Sequence, residues 1–198
     1  MTDFTTVKKN LESKRFRVST FATAEEAADY LNRSIDGVSV GIGGSVTAEQ
    51  MGLYEKLSGH NRVFWHWRPE SAEDPRREAM TADMYITSVN GMAETGELIN
   101  IDGNGNRVAA IVYGPESVIV IAGMNKVMNS LDAAVERART VAAPQNKQRF
   151  DSKTPCEVTG ACADCKSDGC ICNQILITRN CNPPGRIKFI LVGEDLGL

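Results

Sequence analysis

The feature that most constrains the fold is the run S-V-I-V-I-A at 117–122, which is almost entirely β-branched. A run of this kind is typical of a strand that is buried on both faces of a sheet. A second apolar run, Ile187–Val192, predicts another buried strand near residue 198. Strands buried on both faces are covered by helices, so the two runs favour an α/β fold.

Predicted strands and helices alternate before the first of these runs. The predicted strands are Phe16–Phe21, Val38–Ile42, Val63–Trp67 and Met84–Ser88. The predicted helices are Thr2–Arg15, which Thr2 or Asp3 would cap, and Thr23–Arg33, Ala48–Leu57 and Glu73–Thr81. Because parallel strands need long crossover connections, this alternation predicts a mostly parallel sheet with helices on both faces.

A dense turn signal, D-G-N-G-N at 102–106, lies between the predicted strands Met84–Ser88 and 117–122. Gly and Asn accept the positive φ angles that tight hairpins demand. The apolar run Leu98–Ile101 precedes the turn, and Val108, Ala110 and Val112 alternate after it. This pattern predicts an antiparallel hairpin beside the parallel sheet.

The C-terminal third contains a predicted helix and a cysteine-rich segment. Ser130 is expected to cap a helix that continues through Val141 and that Pro144 ends. Residues 151–181 are rich in Cys, Gly and Asp and are weakly periodic, so we interpret them as irregular. We interpret residues 1–198 as one domain, with 151–181 as an insert before the last strand.

Charge and hydropathy narrow the classes of function. The net charge of −3 and the absence of a basic stripe argue against a nucleic-acid partner. No apolar run reaches the roughly 20 residues of a membrane helix, so no membrane association is expected. The N-terminal residues lack the apolar stretch of a secretory signal, and we therefore expect a cytoplasmic protein.

Polar residues gather at the predicted ends of several strands and in the turns that follow them. They are Asn90, Glu94, Thr95, Asn106, Arg107, Asn125 and Lys126. In open α/β sheets, ligands bind at strand ends with turns of this kind. The sequence therefore predicts a ligand site here, but the pattern identifies no substrate.

A glycine loop, G-I-G-G-S-V-T at 41–47, follows a predicted strand and leads into a predicted helix. Glycines at Gly43 and Gly44 let the backbone approach an anion, and Ser45 and Thr47 add hydroxyl donors. The alternative is a tight strand-to-helix turn that Ser45 caps. Beside the polar cluster, the loop favours a small anionic metabolite bearing a carboxylate, a phosphate or a CoA group.

Glu94 is the candidate catalytic residue. A carboxylate held in a turn at strand ends could act as a nucleophile or as a general acid/base. The alternative is a solvated turn glutamate. His66, between Trp65 and Trp67, is interpreted as a packed strand residue and not as a base.

The six cysteines follow the pattern C-x5-C-x2-C-x4-C-x-C-x8-C. A C-x2-C pair can place two thiolates on one metal, and four thiolates suit zinc or an iron–sulfur cluster. Disulfides and free thiols are the alternatives. Because an irregular segment poor in apolar residues cannot offset its ordering entropy by burial, we expect a closed structural metal site, with zinc favoured over a cluster.

Several unusual motifs occur together in a recognisable order. They are A-D-M-Y-I-T-S-V-N-G-M-A-E-T-G-E-L-I-N-I-D-G-N-G-N-R-V, V-I-V-I-A-G-M-N-K, G-G-S-V-T and T-P-C-x3-G-x-C-x-D-C-x-S. The chain resembles the lactate-utilisation (LUD) domain family in these motifs. The resemblance covers nearly its whole length. The resemblance implies a three-layer α/β/α sandwich similar to the CoA-transferase, ribose-phosphate isomerase and glucosamine-phosphate deaminase group.

The resemblance also implies roles for individual residues. The family motifs fall on Gly43, Gly44, Ser45, Glu94, Gly96, Asn106, Arg107, Asn125 and Lys126. The family's cysteines match Cys156, Cys162, Cys165 and Cys172, which makes these four the candidate ligands, with Cys170 and Cys181 as possible substitutes. In CoA transferases of similar fold a glutamate attacks the acyl group, which is the role we assign to Glu94.

Two functions follow as hypotheses. The first is an enzyme-like protein that acts on a small carboxylate, phosphate or CoA-linked metabolite. The second is a non-catalytic accessory or regulatory subunit that works with iron–sulfur or flavin oxidoreductase subunits in lactate oxidation. Both hypotheses are compatible with a homo-oligomer.

Overall fold

The computed structural model describes residues 3–198, so Thr2, a predicted helix cap, lies outside the described residues. The strands are β1 (Arg17–Phe21), β2 (Ser39–Ile42), β3 (Arg62–Trp65), β4 (Met84–Ser88), β5 (Gly91–Ala93), β6 (Leu98–Asp102), β7 (Ser117–Gly123), β8 (Val127–Met128), β9 (Gln174–Thr178) and β10 (Ile187–Val192). The α-helices are α1 (Thr5–Ser13), α2 (Ala24–Ser34), α3 (Val46–Gln50), α4 (Leu53–Ser58), α5 (Pro75–Met80), α6 (Asn106–Val112), α7 (Leu131–Arg137), α8 (Ala143–Lys147) and α9 (Pro155–Thr159).

Six strands form a parallel sheet in the order β1-β10-β7-β4-β2-β3. The β-branched run of the sequence is β7, which pairs with β10 on one side and β4 on the other. Its residues from Val118 onward are buried. The prediction of a parallel sheet built around this run is therefore confirmed.

The side chains of β7 point alternately into two separate cores. Val118 and Val120 pack in one core with residues of α1, α5 and α6. Ile119 and Ile121 pack in the other with residues of α2, α3 and α4. Because successive side chains of a strand face opposite ways, this division shows helices on both faces of the sheet, and hence three layers.

A second, smaller sheet has the order β8-β5-β6-β9. β5 and β6 form an antiparallel hairpin, β9 pairs antiparallel with β6, and β8 pairs parallel with β5. Helix α7 lies directly against β5: a Cβ on Gly91 would come within 2.6 Å of the Ala134 carbonyl oxygen. The close approach of helix and strand therefore requires glycine at this position.

The predicted strand at Val108–Val112 is wrong, because these residues belong to α6. Gly105, with φ of 85°, turns the chain into the helix, and Arg107, Ala110 and Ile111 form its buried face at helical spacing. Val112, which the alternating pattern counted as inward, is 60% exposed. An antiparallel hairpin is present, but the partner of β6 in it is β5.

Two further boundaries differ from the sequence prediction. The predicted helix Ala48–Leu57 is divided into α3 and α4, because Gly52 takes a left-handed conformation with φ of 60°. Pro144 does not end the helix that Ser130 caps: a π-helical segment, Ala138–Ala142, links α7 to α8. A wider turn of this kind accommodates a residue that lacks the N–H of a regular helix.

The cysteine-rich segment contains more regular structure than predicted. Helix α9 lies within it, and β9 extends the smaller sheet through five register pairs with β6. The residues between these two elements, 160–173, contain no helix or strand. Within residues 3–198, no helix combines the length and apolar character needed to cross a bilayer.

Candidate functional site

The chain leaves β7 at Gly123 and makes a single 3₁₀ turn, Met124–Lys126, which carries the Lys126 side chain inward. Lys126 is 2% exposed, and its Nζ donates to Thr47 Oγ1 at 3.0 Å and to Ser88 Oγ at 2.9 Å. The ammonium thus lies where β7, β4 and α3 meet.

The Lys126 ammonium faces a small cavity of about 50 Å³, which we call the Lys126 pocket. The pocket is lined by Gly44, Ser45, Val46, Thr47, Ser88, Val89, Asn90, Arg107, Lys126, Asn146, Arg149 and Leu198.

Lys126 is a buried cation whose hydrogen-bond partners are neutral. Both recorded acceptors are hydroxyls, and no carboxylate in residues 3–198 forms an ion pair with it. Burial, together with the positive charges of Arg137 and Arg107, lowers the pKa of Lys126 from 10.5 to about 7. The side chain therefore changes its charge near neutral pH.

Arg107 supplies a fixed positive charge on the opposite wall. Its Nη1 donates to the Ser88 carbonyl at 3.2 Å, and its Nη2 donates to Asn90 Oδ1 at 3.0 Å and to the Ile101 carbonyl. Its Nε lies 3.7 Å from Asp102 Oδ1, at the edge of ion-pair distance. These bonds hold the guanidinium in one orientation, beside the strand end that also carries Ser88.

The glycine loop packs tightly beneath the pocket. A Cβ on Gly43 would lie 2.8 Å from Tyr85 Oη, and one on Gly44 would lie 3.3 Å from His66 Cε1. Ser45 Oγ accepts from the Ala48 amide at 3.1 Å and so caps α3, as the alternative interpretation of the loop predicts. Ser45 and Thr47 also line the pocket. The loop is therefore both a capped turn and one wall of a cavity.

A larger cavity of about 540 Å³, which we call the cleft, shares four lining residues with the Lys126 pocket. These are Gly44, Asn90, Arg107 and Asn146. Its other lining residues include His66, Trp67, Arg76, Asp102, Asn104, Asn106, Lys147, Phe150, Asp168, Cys170 and Asn173. The cleft is rich in amide and charged groups, so it suits the polar body of a ligand whose end lies in the pocket.

His66 lines the cleft, although the sequence analysis interpreted it as a packed strand residue. It directly follows β3 and lines the cleft, where it is half-buried. Burial, helped by the charge of Arg76 and opposed by that of Asp102, lowers the pKa of His66 to about 4. The imidazole is therefore neutral at physiological pH and can donate and accept hydrogen bonds in the cleft.

Most of the predicted ligand-binding residues come together. Gly44, Ser45, Thr47, Asn90, Arg107 and Lys126 line the Lys126 pocket, and Asn106 lines the cleft. Gly43 lies just behind them and accepts from Trp65 Nε1 at 3.0 Å. Asn125 faces the C-terminal segment, where its Oδ1 accepts from the Leu196 amide at 3.2 Å.

The predicted catalytic residue lies elsewhere. Glu94 is exposed in the turn between β5 and β6; its amide donates to the Met128 carbonyl and its own carbonyl accepts from Asn10 Nδ2. Thr95 is also exposed and donates to Glu97 Oε2. Neither residue lines the Lys126 pocket or the cleft. The expectation that Glu94 faces the glycine loop is therefore not met by the structure.

Several lining residues were not predicted. Ser88 ends β4, and its position at a strand end is a signal that could have identified it. Asn146 and Arg149 belong to the region after Pro144, which was predicted to end the helix. Arg137, on α7, donates to the Asn90 carbonyl and to the Asn125 carbonyl, and it adds positive potential near Lys126.

Five of the six cysteines line a third cavity, of about 250 Å³, which we call the thiol cavity. They are Cys156, Cys162, Cys165, Cys170 and Cys172, and all are free thiols. Burial raises the pKa of Cys172 to about 12, with Cys170, Cys162 and Cys156 contributing. Ser167, through hydrogen bonds to the sulfur, lowers the pKa of Cys165.

The thiols do not form the closed zinc site that the sequence led us to expect. Within residues 3–198, no group of three or more His, Cys, Asp or Glu side chains is arranged to hold a metal ion. Cys181, a suggested substitute ligand, is buried in the core, where its Sγ accepts from the Ile187 amide and donates to the Pro183 carbonyl, both at 3.2 Å. The other five surround a space that one zinc ion would not fill.

Comparison with known structures supports the fold. A DUF162 family protein from Deinococcus radiodurans matches with a TM-score of 0.53 and 13% identity, over 95% of this chain and 94% of that chain. Ribose 5-phosphate isomerase A from Methanocaldococcus jannaschii matches more weakly, with a TM-score of 0.37, 18% identity and coverage of 55% and 54%. No functionally curated protein matches the sequence.

The family assignment comes from the sequence itself. The model of the LUD domain family matches residues 5–192, which is nearly the whole chain and includes the glycine loop, the Lys126 pocket and the thiol cavity. At 13% identity the Deinococcus radiodurans structure adds evidence for the fold alone. The motifs around Gly44, Arg107 and Lys126 thus lie within a recognised domain, and the chain belongs to the LUD domain family, which is associated with lactate utilisation.

Proposed function

We propose that the protein binds a small anionic metabolite, with the carboxylate or phosphate group of the ligand in the Lys126 pocket. The observation that carries this proposal is Lys126 itself, a 2% exposed ammonium with no acidic partner among the described residues. A buried charge is costly unless it is paired. An anionic ligand would supply the missing partner.

The hydrogen bonds of Lys126 also favour an anionic ligand. An ammonium has three N–H donors, and two of them are directed at Thr47 and Ser88. The third is left for a group in the pocket. Arg107 and Arg149 also line this small space, so its walls carry positive charge and hydroxyl groups but no Asp or Glu side chain. This combination favours an oxyanion over a neutral ligand.

The sizes of the two cavities indicate the class of ligand. A pocket of about 50 Å³ accommodates one carboxylate or phosphate group, given that a cavity of about 10–15 Å³ already holds one water molecule. The adjoining cleft, about 540 Å³, has room for a much larger polar body. A metabolite with an anionic end and an extended remainder, such as a sugar phosphate or a CoA-linked acid, would use both spaces.

Lys126 is also the best candidate for proton transfer. A group with a pKa near 7 exchanges protons efficiently at neutral pH, which is the requirement for general acid/base catalysis. The reaction class that fits is proton transfer at a ligand atom next to the anionic group. Glu94 is not assigned this role, since it lines neither cavity.

Thermal-shift measurements with phosphate, lactate, sugar phosphates and acyl-CoAs test the proposal. A ligand that binds only the folded protein raises the melting temperature, and the shift grows with the logarithm of the ligand concentration relative to its dissociation constant. We expect at least one of these anions to stabilise the wild type and not Lys126→Met. The matched control is Lys9→Met, which removes an exposed lysine on α1. Equal stabilisation of the wild type and Lys126→Met would contradict the proposal.

Turnover assays with the ligands that bind then separate the two roles. Conversion of a bound metabolite by wild type, with loss in Lys126→Met, supports an enzyme. Binding without conversion supports the accessory role in lactate oxidation, with the same pocket acting as a sensor of the metabolite.

A further inference from the structure

We propose that the thiol cavity binds an iron–sulfur cluster, ligated by four of its five cysteine thiolates and neutralised in part by Lys147. This inference is independent of the ligand in the Lys126 pocket. It rests on three observations: the arrangement of the thiols, the volume they enclose and the surroundings of Lys147.

The thiols are brought together by a short stretch of chain with little regular structure. Cys156 lies on α9, and the other four lie in the coil that follows it. All five face one cavity. The Cys172 amide also donates to Cys170 Sγ at 3.4 Å, and backbone N–H groups directed at cysteine sulfur are one of the interactions that stabilise clusters.

The volume of the cavity discriminates between a single ion and a cluster. In a tetrahedral zinc site the Zn–S distance is about 2.3 Å, which places the sulfurs within about 4 Å of one another and leaves no space between them. The thiol cavity encloses about 250 Å³, and no three of its thiols are placed to hold a single metal ion. Five thiols lining a space of this size fit a body of several atoms better than one ion.

Lys147 supplies the independent evidence for an anionic occupant. It lies at the end of α8, is 4% exposed and lines the thiol cavity. Its recorded contact is the Phe150 ring, 5.5 Å from Nζ, and no ion pair or hydrogen bond of this ammonium occurs in the described part of the chain. Arg139, the other cation on the cavity wall, is already paired with Asp164 at 2.7 Å.

Neutral thiols give the Lys147 ammonium no counter-charge. Four thiolates around an oxidised iron–sulfur core carry a net charge of about −2, because the core contributes about +2. On assembly, each ligating thiol releases its proton to solvent and forms one Fe–S bond. A buried lysine beside such a centre would be paired, which removes the cost of an isolated internal charge.

The position of the cavity gives the cluster a potential role. Lys147, Cys170, Ile171 and Ile101 line both the thiol cavity and the cleft. A cluster in the thiol cavity would therefore lie beside the space that we assign to the metabolite. It would also order the coil at 160–173, whose burial alone contributes little.

Anaerobic reconstitution of the full chain with a mixture of ferrous iron, ferric iron and sulfide tests the proposal, because an oxidised core assembled from these ions needs no further oxidant. We expect a brown protein with visible charge-transfer absorption and about two or four irons per chain, with matching sulfide, as cluster sites of this kind hold. A variant with all five cavity cysteines changed to serine should stay colourless, and circular dichroism checks that its sheets remain folded. Cys181→Ala should still take up iron, because Cys181 lies outside the cavity.

The Lys147→Met variant tests the counter-charge. Loss of an outer-sphere partner typically weakens metal binding about 10–100-fold, so a chelator should remove iron faster by that order. Lys166→Met, which removes an exposed lysine of the same segment, should behave as the wild type. A colourless wild type after reconstitution, stoichiometric zinc in place of iron, or equal iron uptake by the five-serine variant would each overturn the proposal.

Discussion

The Lys126 pocket and the thiol cavity both contain a buried lysine that has no acidic partner among residues 3–198, but their frameworks differ. Thr47, Ser88 and Arg107, around Lys126, lie on or beside strands and helices of the main sheet. The cysteines around Lys147 lie mostly in coil. In both of our proposals the buried cation is paired by an anionic occupant. The first site is held by regular elements of the fold, whereas the second lies mostly in coil, which we propose that the cluster stabilises.

The largest expected effect is on stability as a function of pH. The folded-state pKa of Lys126 is about 7, and the unfolded value is near 10.5, so the unfolded chain binds more protons between these limits. The free energy of unfolding should therefore rise with pH, by about 1.4 kcal/mol per unit at most, or about 2 kcal/mol from pH 7 to pH 9.

Urea unfolding of wild type and Lys126→Met across this range measures the effect. The difference between the two proteins isolates Lys126 from other groups that titrate above pH 8. We expect the wild type to gain stability relative to the variant as the pH rises. A constant difference would show that burial does not lower the pKa of Lys126.

The next effect distinguishes a glycine that shapes the pocket from one that only packs. Gly44→Val should weaken anion binding by about tenfold while changing stability by less than about 1 kcal/mol, because its Cβ would meet the movable His66 ring at 3.3 Å. Gly41→Val should do the reverse and cost about 1–3 kcal/mol, since its Cβ would lie 2.5 Å from the Ala79 carbonyl oxygen, which is backbone.

Anion titrations and unfolding curves of both variants test this pair. Equal losses of binding and stability in Gly44→Val would mean that Gly44 is only a turn residue. Unchanged stability of Gly41→Val would mean that α5 can move away from β2.

The smallest expected effect concerns Glu94. Because its carboxylate is exposed and lines neither cavity, Glu94→Gln should change ligand affinity and any turnover by less than about twofold. Kinetics or ligand titrations on this variant provide the measurement. Loss of turnover with intact binding would restore Glu94 as the nucleophile that the family resemblance suggested.

Some of this architecture could be predicted because the sequence pattern admits one interpretation. The run that became β7 is apolar at every position from 118 to 122, which fits a strand buried on both faces. The run that became α6 is different, since Val108, Ala110 and Val112 satisfy a period of two while Arg107, Ala110 and Ile111 satisfy the helical period. Packing of α6 against the sheet, which is not local, decides between them.

The residues of the candidate site could also be predicted only in part. Arg107 and Lys126 were found because they follow turn or strand-end signals, which converge at one edge of a parallel sheet. Glu94 satisfies the same rule and yet lies elsewhere, because the direction of a turn depends on the hairpin between β5 and β6. Arg137 and Arg149 come from helical regions distant in sequence, which no local signal connects to the pocket.

The most direct test of the central claim is calorimetric titration of an anion of constant charge, such as sulfate, or of the best ligand from the thermal-shift screen. The charged side chains around Lys126 are Arg107 on α6, Arg149 in the pocket wall, Arg137 on α7 and Asp195 near Arg137. We predict that the wild-type affinity falls by up to about tenfold per pH unit above pH 7, as Lys126 loses its proton. We also predict that Lys126→Met binds on the order of 100-fold more weakly at pH 6.5 and shows no such dependence. An affinity that is the same in both proteins and independent of pH would contradict the assignment of the Lys126 pocket.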